Sequence, residues 1–264
     1  MHIRRFFPVL NAYLRKGAFQ FIQYPADQAI SAISLIVQKT ASFIALLIIV
    51  RAAGHIGGWN IYDLAFLYSF FLMIDALNAA FIDGIWNIGN VYIRRGLLDI
   101  LLTRPVPVFF QLVGYRLEYS ALGSFFIGLG LNLWLFRVME IKITAVILLL
   151  YVLFIVCGTV ITASVYLVFN SLNFWLVRGN EIADLSQTVQ EFSKYPQHIF
   201  PRIIQIIMAF VIPFAFTSYY PVSVLAGRLP LQICGILLLV TVMISIAASA
   251  VWRFGLKSYK STGS

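Results

Sequence analysis

The sequence predicts an all-helical membrane protein that crosses the bilayer six times. Three observations carry that reading: an excess of apolar residues, charge-free intervals of spanning length, and a one-sided placement of Lys and Arg. Of 264 residues, 61% are hydrophobic, 16% aromatic and only 11% charged, against about 45–50% apolar and about 25% charged in a typical soluble domain. A mean hydropathy of +0.90 leaves too little polar surface to face water, so lipid is the expected solvent. The net charge of +9 sits between the apolar runs, which matches it to an anionic membrane face and not to nucleic acid. Cys157 and Cys234 lie in apolar stretches and read as small hydrophobes.

A spanning helix needs about 20 apolar residues. No Asp, Glu, Lys or Arg occurs in 119–136, 143–177, 203–227 or 229–252, which become the third to sixth spans. The first two, 30–50 and 61–82, are strongly apolar but contain Gln38 and Lys39, and Asp63 and Asp75, respectively. The 143–177 interval exceeds one crossing at about 1.5 Å per residue, so its helix either runs past the bilayer or ends near Asn170-Ser171. Together these spans make residues 29–252 one transmembrane domain, followed by a tail at 253–264.

An even number of crossings puts both termini on one side, and Lys/Arg bias selects which. Thirteen of the 19 basic residues fall on one side of this layout and four on the other, with Lys39 and Arg116 in or beside spans. Both termini are therefore expected in the cytoplasm, with 83–110 and 171–202 as long inner loops. Residues 1–28 lack the uninterrupted apolar core of a cleaved signal. Ile3, Phe6, Phe7, Leu10, Leu14, Ala18 and Phe21 recur at helical spacing, with Arg4, Arg5, Asn11, Arg15 and Gln20 elsewhere on the wheel and Phe19 breaking the pattern. That pattern describes either a helix lying on the cytoplasmic surface or a basic flank that orients the first span.

The dipeptide Gly-Lys never occurs, which excludes a phosphate-cradling P-loop. His2, His55 and His198 are scattered, without clustered carboxylates or cysteines, so no metal site is expected. No Gly-x-Ser-x-Gly turn or other catalytic constellation is present. The protein is not expected to be an enzyme. Attention passes to charges in the spans, because each costs several kcal/mol in hydrocarbon unless paired or wet. Lys39 and Asp75 lie about 16 and 21 Å below the outer surface at helical rise, a depth at which they can pair; a structural role and a substrate role both remain open. Glu118 and Arg116, two residues apart, do not share a helix face. Glu118 is assigned to a partner helix and Arg116 to the headgroups by snorkelling.

Ser120, Ser124, Gly128 and Asn132 recur every fourth residue, a stripe that lets helices approach closely. The segment around 83–110 sets Arg94, Arg95 and Asp99 among Leu97, Leu98, Ile100, Leu101 and Leu102, before Arg104-Pro105 stops the helix. It reads either as a docking element for a partner or as a basic loop on headgroups. Pro213 is predicted to kink or break its span. Beyond it Tyr219, Tyr220 and Pro221 suit an interfacial belt, with 213–230 dipping back to close the outer end.

At Leu101-Leu102-Thr103-Arg104-Pro105-Val106, Phe109-Phe110-Gln111, Pro213-Phe214-Ala215-Phe216 and Tyr219-Tyr220-Pro221, the chain resembles bacterial ABC-2 type transporter permeases. More narrowly it is similar to the six-span subfamily of uncharacterised ABC exporter permeases, and the resemblance covers essentially the whole chain. It implies an ABC-2 (type V) exporter-like permease of the bacterial inner membrane, with a second permease chain, identical or homologous, and a cytoplasmic ABC ATPase as partners. ATP and Mg would bind in the ATPase, and this chain would bind no cofactor. The N-terminal stretch would be the elbow helix. Arg94, Arg95, Asp99, Arg104 and Pro105 would couple to the ATPase, and Pro213, Tyr219, Tyr220 and Pro221 would form a re-entrant gate. Lys39 has no counterpart in the family pattern. The rival reading is an ATP-independent membrane carrier or a non-transporting anchor or immunity protein.

Overall fold

A computed structural model describes residues 25–53, 58–176 and 179–260, together with positions 12, 13, 15, 16, 19, 22 and 23. The apolar positions that carry the elbow-helix reading, Ile3, Phe6, Phe7, Leu10, Leu14, Ala18 and Phe21, lie outside the described residues, as does Arg178. Of that stretch, Lys16 stands over the Tyr115 ring at 4.0 Å.

α1 is described over Pro25–Ala53. Asp27 near its start and Arg51 near its end complement the helix dipole. α2 (Ile61–Ile82) begins at a capping box: Asn60 accepts from the Asp63 N–H at 2.9 Å, and Asp63 accepts from the Asn60 N–H at 2.9 Å. Its circumference is apolar all round, and such a helix belongs at the centre of a bundle. It is buried along most of its length, against α5 (Leu122–Val138) and α6 (Ala145–Ser171). The helix does not stop at Ile82. It tightens over Asp83–Asn87 and widens into a π-helical turn over Ile88–Ile93, giving a continuous span of Ile61–Ile93.

Two short helices, α3 (Leu98–Leu102) and α4 (Val108–Tyr115), follow a left-handed turn at Gly96 and precede α5. α6 is capped by Thr144, which accepts from the Ile147 N–H at 3.2 Å, and stops at Ser171. α10 (Ile233–Ser258) packs along α6. Arg94, Arg95, Arg104, Arg253 and Lys257 are all exposed at one end of the bundle, the basic end.

Among the described residues five helices are long and apolar enough to cross a membrane: Pro25–Ile48, Ile61–Ile93, Tyr119–Val138, Ala145–Phe174 and Ile233–Ser258. The expected fifth span, 203–227, is instead a bent pair. α8 (Arg202–Ile206) runs on to Val211, and Arg202–Val211 and Phe214–Leu225 meet at 79° around Pro213, where the missing N–H and ring break the helix. The passage between the two ends is made by the segment expected to be an inner loop. α7 (Gly179–Gln190) starts beside Gly89, where an added Cβ would collide with the side chains of Asn173 and Asn180. It ends level with Asp75, where Glu191 approaches Lys39. His198 then reaches the ring of Trp59, 6.2 Å away at the opposite end. Residues 171–202 are thus not a loop, and Lys194 and Arg202 leave the inner-side basic count. The reason is physical: hydropathy detects segments that face lipid, whereas a polar segment crosses when neighbouring helices shield it.

The element between Arg202 and α9 (Tyr219–Leu225) begins and ends near the same end of the bundle. His198 precedes it there, and Arg228 after it pairs with Asp63 of the first turn of α2. In between it dips inward, with the Thr217 carbonyl 3.0 Å from where a Cβ on Gly158, halfway down α6, would lie.

Candidate functional site

At mid-depth the bundle holds four charges. Lys39, fourteen residues into α1 and so about 21 Å along it, pairs with Asp75 of α2 at 2.8 Å and lies 3.7 Å from Glu191. Glu191 also pairs with Lys194, whose ammonium donates to Ser42 Oγ at 3.1 Å. The Tyr68 hydroxyl donates to the Lys39 carbonyl at 2.6 Å, tying α2 to the middle of α1. The side chains of Lys39 and Asp75 are 16% and 20% exposed, so neither is well solvated. The cluster is formally neutral, which is how ionisable groups persist at this depth. Lys39 and Asp75 interrupt apolar helices and so stood out in the sequence. Glu191 and Lys194 did not, because their surroundings are polar.

α7 buries Gly179, Ala183, Ser186 and Gln190 at helical spacing. Gln190 accepts from the Tyr166 hydroxyl of α6 at 2.7 Å. The other face exposes Glu181, Asp184, Gln187 and Thr188 along the length of the passage from the basic end to the charge cluster. No hydropathy window marks these residues; the amphipathic period of three to four was their only signal.

At the basic end, α3 divides its residues between two environments. Leu98 and Leu101 sink into a cluster with Ile85, Val108, Leu112, Leu167 and Trp252. Leu97, Ile100, Leu102, Arg94, Arg95 and Arg104 are exposed. Gln111, buried at the start of α4, donates its amide to the carbonyls of Leu101 at 2.8 Å and Val106 at 2.7 Å, stapling the Thr103–Pro107 turn in which Pro105 sits. Tyr259, just beyond α10, is held neutral, because burial and then the nearby Asp99 carboxylate push its phenol above the ordinary range.

Against protein-family models, residues 36–263 match the ABC-2 family transporter protein. The chain belongs to that family. It is the membrane component of an ABC transporter, a permease. No curated protein and no solved structure matches the chain.

At the opposite end of the permease, aromatics gather around an ion pair. Arg228, paired with the capping carboxylate Asp63, lies over Trp59 with 4.9 Å to the ring centroid. Tyr219 stacks on Trp59 at 5.5 Å, Tyr220 packs on Phe216 at 4.4 Å, and Pro221 is buried within α9. The two tyrosines are thus half-buried, each with one face on a neighbouring ring. Ser124, Gly128 and Asn132 of α5 are buried facing α2. A Cβ on Gly128 would meet Met73 Cγ at 2.7 Å and the Ser69 carbonyl at 2.9 Å. Ser120 turns to Ser31 of α1, 3.4 Å away. One expectation changes: Arg116 does not reach freely for headgroups but pairs with Asp83 at 2.8 Å. Glu118 precedes the helix, where its side chain accepts from Ser120 Oγ at 2.6 Å and its N–H donates to the Ala80 carbonyl of α2 at 3.0 Å.

Proposed function

We propose that this chain is the permease subunit of an ATP-driven exporter in a bacterial inner membrane, with both termini in the cytoplasm. Two copies, or this chain and a homologue, enclose a pathway lined by the exposed face of α7. The observation that carries the reading is that face: Glu181, Asp184, Gln187 and Thr188 are exposed at membrane depth. Polar groups there are too costly to leave against lipid. A water-filled path between two permeases removes the cost, and family membership supplies the kind of cargo machine.

Energy comes from a separate cytoplasmic ATPase that binds ATP and Mg, seated on the basic end. Its footing is the exposed set Arg94, Arg95, Leu97, Ile100, Leu102 and Arg104, apolar side chains framed by fixed charge. Asp99 and Pro105 shape that footing. A push on α3 passes through Leu98, Leu101 and the Gln111 staple into α2, α4 and α10. α2 carries it to Asp75, where the Lys39–Asp75–Glu191–Lys194 cluster joins α1 and α2 to the polar passage. Pro213, Tyr219, Tyr220 and Pro221 form the gate at the far end.

Charge reversal of Arg94 and Arg95 together tests the reading. Co-purification with the cognate ATPase should drop at least tenfold, or hydrolysis should lose its dependence on the permease, with membrane insertion unchanged. Unaltered association and coupled hydrolysis would remove the docking role. The mid-depth cluster favours a second reading, an ATP-independent ion-coupled carrier; transport by the purified chain alone in vesicles bearing an ion gradient would select it.

A further inference from the structure

We infer that the seam between α6 and α10 is a binding site for one anionic phospholipid of the leaflet at the basic end. Two adjoining clefts of about 800 and 630 Å³ share Val160, Ser245, Ser249 and Arg253 and run together along the seam. From Thr241 to Arg253 the groove follows α10 for twelve residues, roughly 18 Å. That is close to one leaflet's share of a ~30 Å hydrocarbon core. The seam is open because small residues, Ala163, Ser164, Ser245 and Ala248 among them, line it.

The walls suit an acyl chain. Three of the hydroxyls inside have partners in the protein: Ser164 and Ser245 lie 3.2 Å apart, Ser245 also donates to the Thr241 carbonyl at 2.7 Å, and Thr241 donates to the Leu237 carbonyl at 2.7 Å. With those groups satisfied and the other walls largely apolar, hydrocarbon can fill the space. The rim suits a phosphate. Arg253 borders both clefts and is exposed, and Lys257 is exposed one turn further along α10. Among the described residues no carboxylate pairs with either. A fixed guanidinium at the mouth of a leaflet-deep apolar groove selects an anionic headgroup over a zwitterionic one.

The groove is separate from the α7 side of the permease. Tyr166, which meets Gln190, points roughly a third of a turn away from the Val160, Ala163, Ser164 and Leu167 face of α6. Its remaining wall is Leu101, Leu102 and Val106–Phe110, so the lipid touches α6, α10 and the α3–α4 arm at once.

The test is native mass spectrometry of the purified full-length chain, titrated with equal amounts of phosphatidylglycerol and phosphatidylcholine. The wild type should retain phosphatidylglycerol several-fold better. Arg253→Ala should abolish that preference and Arg253→Lys should keep most of it, while Ser249→Trp, a change at an exposed groove position, should lower retention of both lipids. Equal retention of the two headgroups by the wild type, or an unchanged preference in an Arg253→Ala/Lys257→Ala double variant, would overturn the site. So would efficient Ser249→Cys cross-linking between two permease chains in native membranes, because it would assign the seam to a second copy.

Discussion

The Lys39–Asp75 contact shows how one residue's energetics depend on the whole cluster. Removing one member of a buried ion pair strands its partner, which costs about 3–5 kcal/mol, whereas removing both costs far less. Lys39→Met leaves Asp75 without its 2.8 Å partner, while Glu191 keeps Lys194. Asp75→Asn strands less, because Lys39 still has Glu191 within 3.7 Å. We therefore expect Lys39→Met to destabilise the purified permease by about 3–5 kcal/mol in denaturant unfolding and Asp75→Asn by less. The Lys39→Met/Asp75→Asn double variant should recover much of the loss. A double-mutant cycle reads the coupling directly. Additive losses would show that the two side chains do not act as a pair. A double variant that folds normally yet fails to transport would move the cluster from scaffold to pathway.

At the scale of elements, the α3–α4 arm is held by one side chain. Gln111 bridges two carbonyls, Leu101 and Val106, across a turn with no repeating hydrogen bonds of its own. Gln111→Leu keeps the volume and takes that donor from the buried Leu101 carbonyl and the half-buried Val106 carbonyl, a loss of about 1–3 kcal/mol. The expected result is an arm that still docks but no longer transmits: hydrolysis by the bound ATPase continues at near wild-type rate while substrate-coupled turnover falls several-fold. Proportional loss of both activities would argue against a transmitting role.

The same scale explains what was legible. α5, α6 and α10 follow from uninterrupted apolar runs, and Pro213 gave away its bend, because lipid contact and a missing N–H leave direct sequence traces. The extension of α2 to Ile93 was hidden by Asp83, Asn87 and Asn90, polar residues in a segment buried by neighbours and not by lipid. α7 was invisible because only one of its faces packs on neighbours. Its Glu181, Asp184 and Glu191 look like loop residues until the contact of Gln190 with Tyr166 ties the helix to the bundle.

For the molecule as a whole, the route of the chain determines what faces water. The described helices pass six times between the two ends with 179–200 as the fifth passage; if 203–227 made it instead, α7 would sit outside the membrane on the basic side. The two routes predict opposite labelling. In the first, cysteines placed one at a time at Asp184, Gln187 and Thr188 lie along a pathway between permeases. They should react with a small aqueous thiol reagent at rates that change when the ATPase is trapped with ATP. A cysteine at Phe210, exposed on the bent pair, should react slowly and independently of nucleotide. In the second, the three α7 positions should react as fast as any cytoplasmic loop, from the basic side alone, whatever the ATPase is doing. Replacing Asp184 and Gln187 by Leu separates the routes again. A pathway-lining face made apolar should lose transport at least tenfold while inserting and binding the ATPase normally, whereas a surface loop should tolerate the change.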